Sequence, residues 1–292
     1  MSSIDSHVHI FDQDHCDKLA WNKPGGLLYK SHTIDEYPGE RDIVFVEVDR
    51  RNDLSHQVHQ NCIDEANYAS SIDRVKAVIA WAPMPLGRAE LLKYIKEMPS
   101  KVVGFRYLLQ DKPKGTVLQP KFIESLTLLS ELDLVFEFGI DTNGSGLWQL
   151  EECLQVLKIL DQNGLKGRYI VDHMAKPPLR KQELLPEWAS LMKSIAEHKN
   201  VYCKLSGCLT ELPLDILSDN NKIVSLIEQP IKQVLEAFAD RCLFGSDWPV
   251  CNFAGSYEQW KTVLTTVLSG TAVDQDLIWF KNAQSIYKIN KD

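Results

Sequence analysis

The stretch IDSHVH, residues Ile4–His9, begins the chain with a short apolar run, and its pattern decides how the rest of the sequence is interpreted. Residues i and i+2 of a strand point to the same face, so His7 and His9 are expected to converge on one point. Asp5 could hold a ring N–H of one of these histidines. Two exposed strand-end histidines would give the same pattern, so the interpretation depends on whether similar runs recur downstream.

Seven further apolar runs follow, and segments with helical periodicity separate them. Most runs are nearly continuous rather than alternating, which is typical of parallel strands covered on both faces. Strand followed by helix, repeated eight times, predicts an α/β fold, a single-domain (β/α)8 TIM barrel spanning residues 1–292. A doubly wound open sheet is the runner-up, but the sequence lacks the glycine-rich phosphate turn typical of it. The predicted strands are Ile4–His9, Ile43–Val48, Val75–Ala80, Val102–Arg106, Leu134–Ile140, Arg168–His173, Val201–Leu205 and Arg241–Ser246.

The segments between the runs predict amphipathic helices, several with acidic residues early and Lys or Gly late. Asp53 or Ser55 is expected to cap the first helix. Pro230 is expected to kink or divide the sixth, because proline lacks the N–H that a helix interior needs. The predicted helices are Leu54–Ser71, Arg88–Met98, Pro120–Leu132, Leu147–Gln162, Glu187–Lys199, Ile223–Phe238 and Val273–Tyr287.

Charge and composition exclude several classes of partner. The net charge of −8, with no basic stripe, argues against a nucleic-acid binder or an anionic-membrane binder. No apolar run reaches the roughly 18 residues that span a bilayer, and no signal-peptide pattern follows Met1. The seven scattered cysteines are typical of reduced core thiols. We therefore expect a cytoplasmic protein, a monomer or homodimer, that acts on a small molecule.

Polar residues occur at the carboxyl ends of the predicted strands. In a barrel these ends share one face and surround a single pocket. Each residue alone has an ordinary explanation, such as a surface cation, a core histidine or a turn cap, but the placement of all of them at one face favours a functional site. The candidates are His7, His9, Arg106, His173, Lys204 and Asp247.

These side chains suit the attack of water on an acyl carbon. Asp247 can take the proton from water. Arg106, His173 or Lys204 can hold the developing oxyanion or a substrate hydroxyl. Two long connections, 11–42 and 206–222, should cover the same face. We expect substrate contacts from Lys204 and from three aromatic residues near the mouth, although a plainly packed loop is an alternative; these residues are Trp21, His32 and Trp248.

Six sequence blocks can be compared with known families: Asp5–His9, Val103–Gln110 (VGFRYLLQ), Ile170–Pro177 (IVDHMAKP), Tyr202–Gly207 (YCKLSG), Phe244–Val250 (FGSDWPV) and Trp279–Tyr287 (WFKNAQSIY). In this order the blocks resemble the amidohydrolase superfamily, and within it the branch of sugar-acid and dicarboxylate lactonases. The resemblance implies a (β/α)8 barrel that opens an aldonolactone, such as L-rhamnono-1,4-lactone, to the free acid, with Asp247 as general base.

The resemblance leaves the need for a metal open. Metal-rich members of the superfamily have a His after strand five and often a carboxylated Lys after strand four, whereas here 134–140 contains no His and Arg106 ends strand four. A binuclear site is therefore not expected. One divalent ion remains possible, zinc or manganese rather than calcium, as does hydrolysis without metal. The candidate ligands are His7, His9, His173 and Asp247, with Glu47 or Glu137 as a further carboxylate.

Two other functions compete with lactone hydrolysis. A metal-dependent decarboxylase, or another amidohydrolase acting on a small carboxylic acid, would need a firmly held ion, and the missing strand-five His counts against it. A non-catalytic ligand-binding barrel would not need His7, His9, His173 and Asp247 together.

Overall fold

Eight parallel strands, each hydrogen-bonded to the next in sequence order, form the centre of the protein in a computed structural model that describes residues 3–19, 21–50, 54 and 56–289. They agree with the eight predicted runs to within a few residues at each end. The strands are β1 Ile4–Val8, β2 Asp42–Val46, β3 Val75–Trp81, β4 Val102–Leu108, β5 Val135–Gly139, β6 Arg168–Val171, β7 Val201–Leu205 and β8 Cys242–Phe244.

Hydrogen bonds between the two ends of the chain close the sheet. Val8 and Trp248 form a parallel bridge. The backbone N–H of Asp247 donates to the carbonyl of His7 (2.9 Å), and that of His9 donates to the carbonyl of Trp248 (2.8 Å). The predicted single-domain (β/α)8 barrel is therefore confirmed, while its exact extent, 1–292, stays a prediction.

Helices follow the strands and cover the outside of the barrel. Of the two outcomes predicted at Pro230, division of the helix is wrong, because one helix runs through this residue. Its buried apolar face, which includes Ile227 and Ile231, holds it against the barrel. The helix Tyr257–Ser269 was missed, although Ser256 is a typical N-cap residue, and its hydroxyl oxygen accepts the N–H of Gln259. The helices are α1 His56–Ser71, α2 Arg88–Ile95, α3 Pro120–Glu131, α4 Thr142–Ser145, α5 Trp148–Gln162, α6 Leu185–Ala196, α7 Asn220–Phe238, α8 Tyr257–Ser269 and α9 Asn282–Ile286.

The ends of the first and last predicted helices differ in how far the structure describes them. The expected caps Asp53 and Ser55 lie outside the described residues. The predicted last helix, Val273–Tyr287, is shorter in the structure and consists of a π-helical turn, Leu277–Lys281, followed by α9. Among the helices that the structure describes, none has the length and apolar character needed to cross a membrane.

Apolar side chains fill the lower half of the barrel interior. Alternate residues of the strands point inward, and apolar residues among them form one buried cluster. Ala283, Ile286 and Tyr287 around α9 pack against this cluster and close the bottom. The inward residues include Ile4, Val46, Ile79, Val135, Ile170 and Leu243.

An irregularity in β1 gives the histidines their direction. Ile4 belongs to the interior cluster, yet His7, three residues later, also faces the interior, which regular alternation does not allow. The pairing of β1 with β2 shifts register between Asp5 and Val8, and this accounts for the change of parity. Bulges of this kind occur next to active sites, where they redirect side chains.

Candidate active site

A cavity of about 230 Å³ opens at the carboxyl ends of the strands. Typical sites for drug-sized ligands hold roughly 300–1,000 Å³, so this cavity suits a small ligand. Of the residues predicted from sequence, five lie on its wall: Trp21, His9, Arg106, His173 and Asp247.

Asp247 lies between the two histidines of β1. Its Oδ1 is 3.5 Å from Nε2 of His9 and 3.8 Å from Nε2 of His7. The closing backbone bond from Asp247 to the His7 carbonyl enforces this proximity. Asp247 has a φ of 60°, a left-handed conformation that is costly for a residue other than glycine and that is often found at functional sites.

Asp5 supports the site through the backbone and not through a histidine ring. Its Oδ1 accepts the N–H groups of His7 (3.2 Å) and Ser246 (2.8 Å), and its Oδ2 accepts the hydroxyl of Tyr37 (2.7 Å). The expectation that Asp5 holds an imidazole N–H is therefore wrong. The carboxylate instead ties β1 to the segment that carries Asp247.

Arg106 is fixed by a buried carboxylate. Its Nε lies 2.7 Å from Oε1 of Glu47, and its Nη2 donates to the Glu47 carbonyl (2.7 Å). The other oxygen of Glu47, Oε2, accepts the N–H of Asp49 (2.6 Å). Glu47 is thereby engaged as the partner of Arg106, and it belongs to none of the potential metal-binding groups among the described residues. The remaining nitrogen, Nη1, lies 3.3 Å from Nε2 of His7.

Lys204 is at the centre of a charged layer below the cavity. Its ammonium lies 2.6 Å from Oε2 of Glu137 and 3.2 Å from Oδ1 of Asp172, and all three side chains are fully buried. Tyr287 donates to the other oxygen of Glu137 (2.7 Å). Glu137 is therefore fully engaged and is not available as a metal ligand. Lys204 does not reach the cavity wall, so its predicted contact with substrate does not agree with its position.

Two cations flank the imidazole of His7. Nζ of Lys204 lies 3.2 Å from its Nδ1, opposite Arg106 on the Nε2 side. Burial, and then the charge of Lys204, lower the pKa of His7 well below its usual range. Burial alone would raise the pKa of Asp172, but Lys204 and His7 lower it well below the usual value. At neutral pH, His7 is therefore a neutral imidazole and Asp172 is an ionised carboxylate.

His173 and Asp247 form the reactive wall. Burial lowers the pKa of His173 to about 4, so the ring is neutral at pH 7. Its Nδ1 lies 2.8 Å from the hydroxyl oxygen of Ser206. Burial opposes ionisation of Asp247, but His173 and the hydrogen bond from His9 outweigh it and lower the pKa of Asp247, which is a carboxylate at neutral pH.

The donor atoms of His7, His9 and Asp247 fit a divalent metal. They lie within 4.8 Å of one another, and ligands about 2.0–2.1 Å from a tetrahedral zinc are about 3.4 Å apart, close to the 3.5 and 3.8 Å found. Nδ1 of His9 donates to the Val46 carbonyl (2.9 Å), so Nε2 is the nitrogen that would bind an ion, in place of the hydrogen bond that it donates to Asp247 when it carries a proton. His173 belongs instead to a second group with His7 and Asp172. The guanidinium of Arg106 lies 3.3 Å from Nε2 of His7 and would compete with an ion for the lone pair of that nitrogen.

Two predicted substrate contacts lie behind the cavity wall. His32 is buried between Phe11 and Trp248, with ring centroids 5.2 and 5.4 Å away. Trp248 also packs on Tyr37 (5.6 Å). His32 and Trp248 are therefore packed against other aromatic side chains. Trp21, which lies in the same loop as His32, does reach the cavity.

Sequence reasoning missed most of the outer cavity wall. Lys176 donates to Oε1 of Gln110 (3.0 Å), and these two side chains lie on the wall together with Asp49, whose pKa burial and the neighbouring Glu47 raise to about 7. Gln110 and Lys176 fall within the blocks quoted above, so their position beside strand ends was the available signal. The other residues missed there include Asp111, Thr210, Val250 and Phe253.

Comparisons with known proteins identify the family of this chain. The amidohydrolase family model matches residues 4–289. An L-rhamnono-gamma-lactonase from Scheffersomyces stipitis is 30% identical over 98% of each chain, and an L-fucono-1,5-lactonase from Burkholderia multivorans is 28% identical over 74% of this chain and 72% of the other. A crystal structure of a B. multivorans amidohydrolase with bound zinc superposes with a TM-score of 0.81 at 24% identity, covering 99% of this chain and 100% of the other. This chain belongs to the amidohydrolase family, with lactonases among its relatives, and is a hydrolase.

Proposed function

We propose that the protein hydrolyses an aldonolactone, such as L-rhamnono-1,4-lactone, to the free sugar acid. Its similarity over nearly the full length to an L-rhamnono-gamma-lactonase supports the substrate class. The observation that carries the proposal is the carboxylate of Asp247, 3.5 Å from His9, on the wall of a small cavity shared with Arg106 and His173.

Asp247 acts as the general base in this mechanism. It takes a proton from water as the water oxygen attacks the ring carbonyl carbon. The ring C–O bond of the tetrahedral intermediate then breaks, and Asp247 returns the proton to the departing ring oxygen. The products are a hydroxyl group and a carboxylic acid, which loses its proton to solvent.

His173 and Arg106 stabilise the negative charge on the carbonyl oxygen. When the Ser206 hydroxyl donates to Nδ1 of His173 (2.8 Å), the neutral ring carries its proton on Nε2 and can donate it to the oxyanion. The guanidinium of Arg106 is held in place by Glu47 and needs no reorganisation. Donors that are already in place are worth far more in a buried site than in water.

The chain's own residues also indicate where a metal would fit. His7, His9 and Asp247 would hold a zinc or manganese ion, which would polarise the carbonyl or lower the pKa of water. Arg106 adds a positive charge 3.3 Å from His7. This charge weakens metal binding at His7, but it also stabilises the negative charge on the carbonyl oxygen.

The charges on the cavity wall favour a neutral ligand. Glu47 neutralises Arg106, and Glu211 lies 3.8 Å from the ammonium of Lys176. Asp49 and further acids share the wall. A dicarboxylate would meet few uncompensated cations, whereas the hydroxyls of a sugar lactone can bond to the carboxylate, amide and ammonium groups.

The test is a pH-indicator hydrolysis screen over aldonolactones, run with and without chelator. We expect turnover of L-rhamnono- or L-fucono-lactones and loss of at least about 100-fold in kcat for Asp247→Asn. Asp215→Asn, at an exposed position in the short 3-10 helix Leu214–Ile216, is the matched control and should keep full activity. Acid production from no lactone, or an active Asp247→Asn variant that is correctly folded, would overturn the proposal.

We also propose a cytoplasmic location. All seven cysteines are buried free thiols, which is typical of a reducing compartment. Fractionation of the source cells would test this, and recovery outside the cytoplasm would contradict it.

A further inference from the structure

A left-handed turn follows β6 and carries part of the active site. The consecutive residues His173, Met174, Ala175 and Lys176 have φ values of 53°, 52°, 58° and 50°. None of them is glycine, and each L-residue in this conformation brings its Cβ close to the following carbonyl oxygen. The N–H of Lys176 donates to the carbonyl of His173 (2.8 Å), which closes the turn.

The turn aims its first and last residues at the cavity. His173 and Lys176 both line the wall, while Met174 and Ala175 between them are fully buried. One strained backbone segment therefore places both the proposed oxyanion donor and the cation that faces substrate hydroxyls. A change in the turn would move both groups together.

Thr142 in α4 holds the turn from outside the cavity. Its hydroxyl is the donor to the carbonyls of Ala175 (2.8 Å) and Lys176 (2.7 Å), which share its single hydrogen. Trp188 adds a bond from its indole N–H to the carbonyl of Met174 (3.1 Å). Thr142 is fully buried and does not line the cavity.

We propose that Thr142 is a positioning residue, whose hydroxyl holds the left-handed turn so that His173 and Lys176 face the substrate. A strained backbone persists only when its surroundings hold it firmly. Without the hydroxyl, two carbonyls lose their side-chain donor, and the turn can relax towards a favourable conformation. The inference rests on the proposed lactone hydrolysis for its kinetic effect, but the position of His173 can be measured independently.

The variants Thr142→Val and Thr142→Ser separate the hydroxyl from the shape of the side chain. Valine keeps the volume and removes the hydrogen bonds, and we expect kcat/KM to fall by about 10- to 100-fold, since small misplacements of catalytic groups have effects of this size. The loss should divide between a lower kcat, from His173, and a higher KM, from Lys176. Serine restores the hydroxyl and should recover most of the activity.

Ser125→Ala is the matched control for the loss of a buried hydroxyl. Ser125 in α3 is fully buried and donates to the carbonyl of Met84 (2.8 Å), away from the cavity. We expect this variant to lose thermal stability without a change in kcat/KM. Equal kinetic losses in Ser125→Ala and Thr142→Val, or wild-type kinetics in Thr142→Val, would overturn the inference.

Nuclear magnetic resonance of the histidine rings provides a readout that needs no substrate. The imidazole signals of His173, assigned with a His173→Asn variant, should shift in Thr142→Val and stay in place in Thr142→Ser and Ser125→Ala. Unchanged signals in Thr142→Val would overturn the inference. A wild-type enzyme that hydrolyses no lactone would count against the proposed function alone.

Discussion

Nε2 of His9 lies 3.5 Å from Oδ1 of Asp247, although the two residues belong to opposite ends of the chain. The same backbone hydrogen bonds that close the barrel between β1 and the segment after β8 bring them together. Closure of the sheet and assembly of the site are therefore one structural event. Damage to this junction should affect stability and activity together.

Zinc should bind weakly at one site, and His9→Gln should abolish this binding. The donor set fits the ion, but the charge of Arg106 beside His7 opposes it. Calorimetric titration of chelator-treated protein measures both affinity and stoichiometry. His15→Gln, whose ring is paired with Asp12 (2.7 Å) away from the cavity, is the control and should bind zinc normally. Two ions per chain, or unchanged binding in His9→Gln, would contradict the prediction.

Lys204→Met should lower the free energy of unfolding by about 3–5 kcal/mol, because it leaves buried carboxylates without their cation. Lys232→Met, which breaks an exposed pair with Glu228, should cost less than about 1 kcal/mol. Denaturant titrations measure both values. The double variant Lys204→Met/Glu137→Gln should recover part of the loss, and a purely additive result would contradict the coupling.

Protonation of His173 should destabilise the protein as the pH decreases from about 6.5 towards 4, an effect that the variant His173→Asn should lack. The pKa of His173 is about 4 in the folded protein, below the ordinary histidine value. Between these values the unfolded chain binds more protons, so acid favours unfolding, by up to about 3 kcal/mol from this group. Urea unfolding at several pH values tests this. The slope of the free energy of unfolding against pH should be smaller in His173→Asn, by an amount that corresponds to the uptake of close to one proton on unfolding. Equal slopes in the two proteins would exclude His173 as the source.

Phe253→Ala should raise KM by about three- to tenfold with little change in kcat, because the ring offers apolar surface at the cavity edge. Phe253 is 51% exposed although its ring packs against Trp21 at 6.2 Å, which leaves one side open to a ligand. Leu214→Ala is a suitable control, since Leu214 is 79% exposed and lies off the cavity. Similar KM changes in both variants would show that the effect is not specific to the wall.

The strands and the face that carries the site could be predicted because both follow from local patterns. Apolar runs mark buried parallel strands, and in a barrel polar residues at their ends must lie on one face. The roles of Lys204, Glu47 and Glu137 could not be predicted. A cation or carboxylate near a strand end can bind substrate, metal or another side chain, and which of these it binds depends on partners that are distant in sequence.

Local patterns along the chain specify the barrel, the order of its strands and the set of polar groups near its mouth, because hydrophobic periodicity and the position of a residue at a strand end can be recognised within a short stretch. Which of these groups reach the cavity depends instead on contacts between residues that are distant in sequence. The register shift in β1 turned His7 inward, and charge pairing kept Lys204 below the cavity. A left-handed turn, held by Thr142, added Lys176 to the wall. These outcomes depend on the balance between burial, pairing and backbone strain across the whole barrel, which no single stretch of sequence contains.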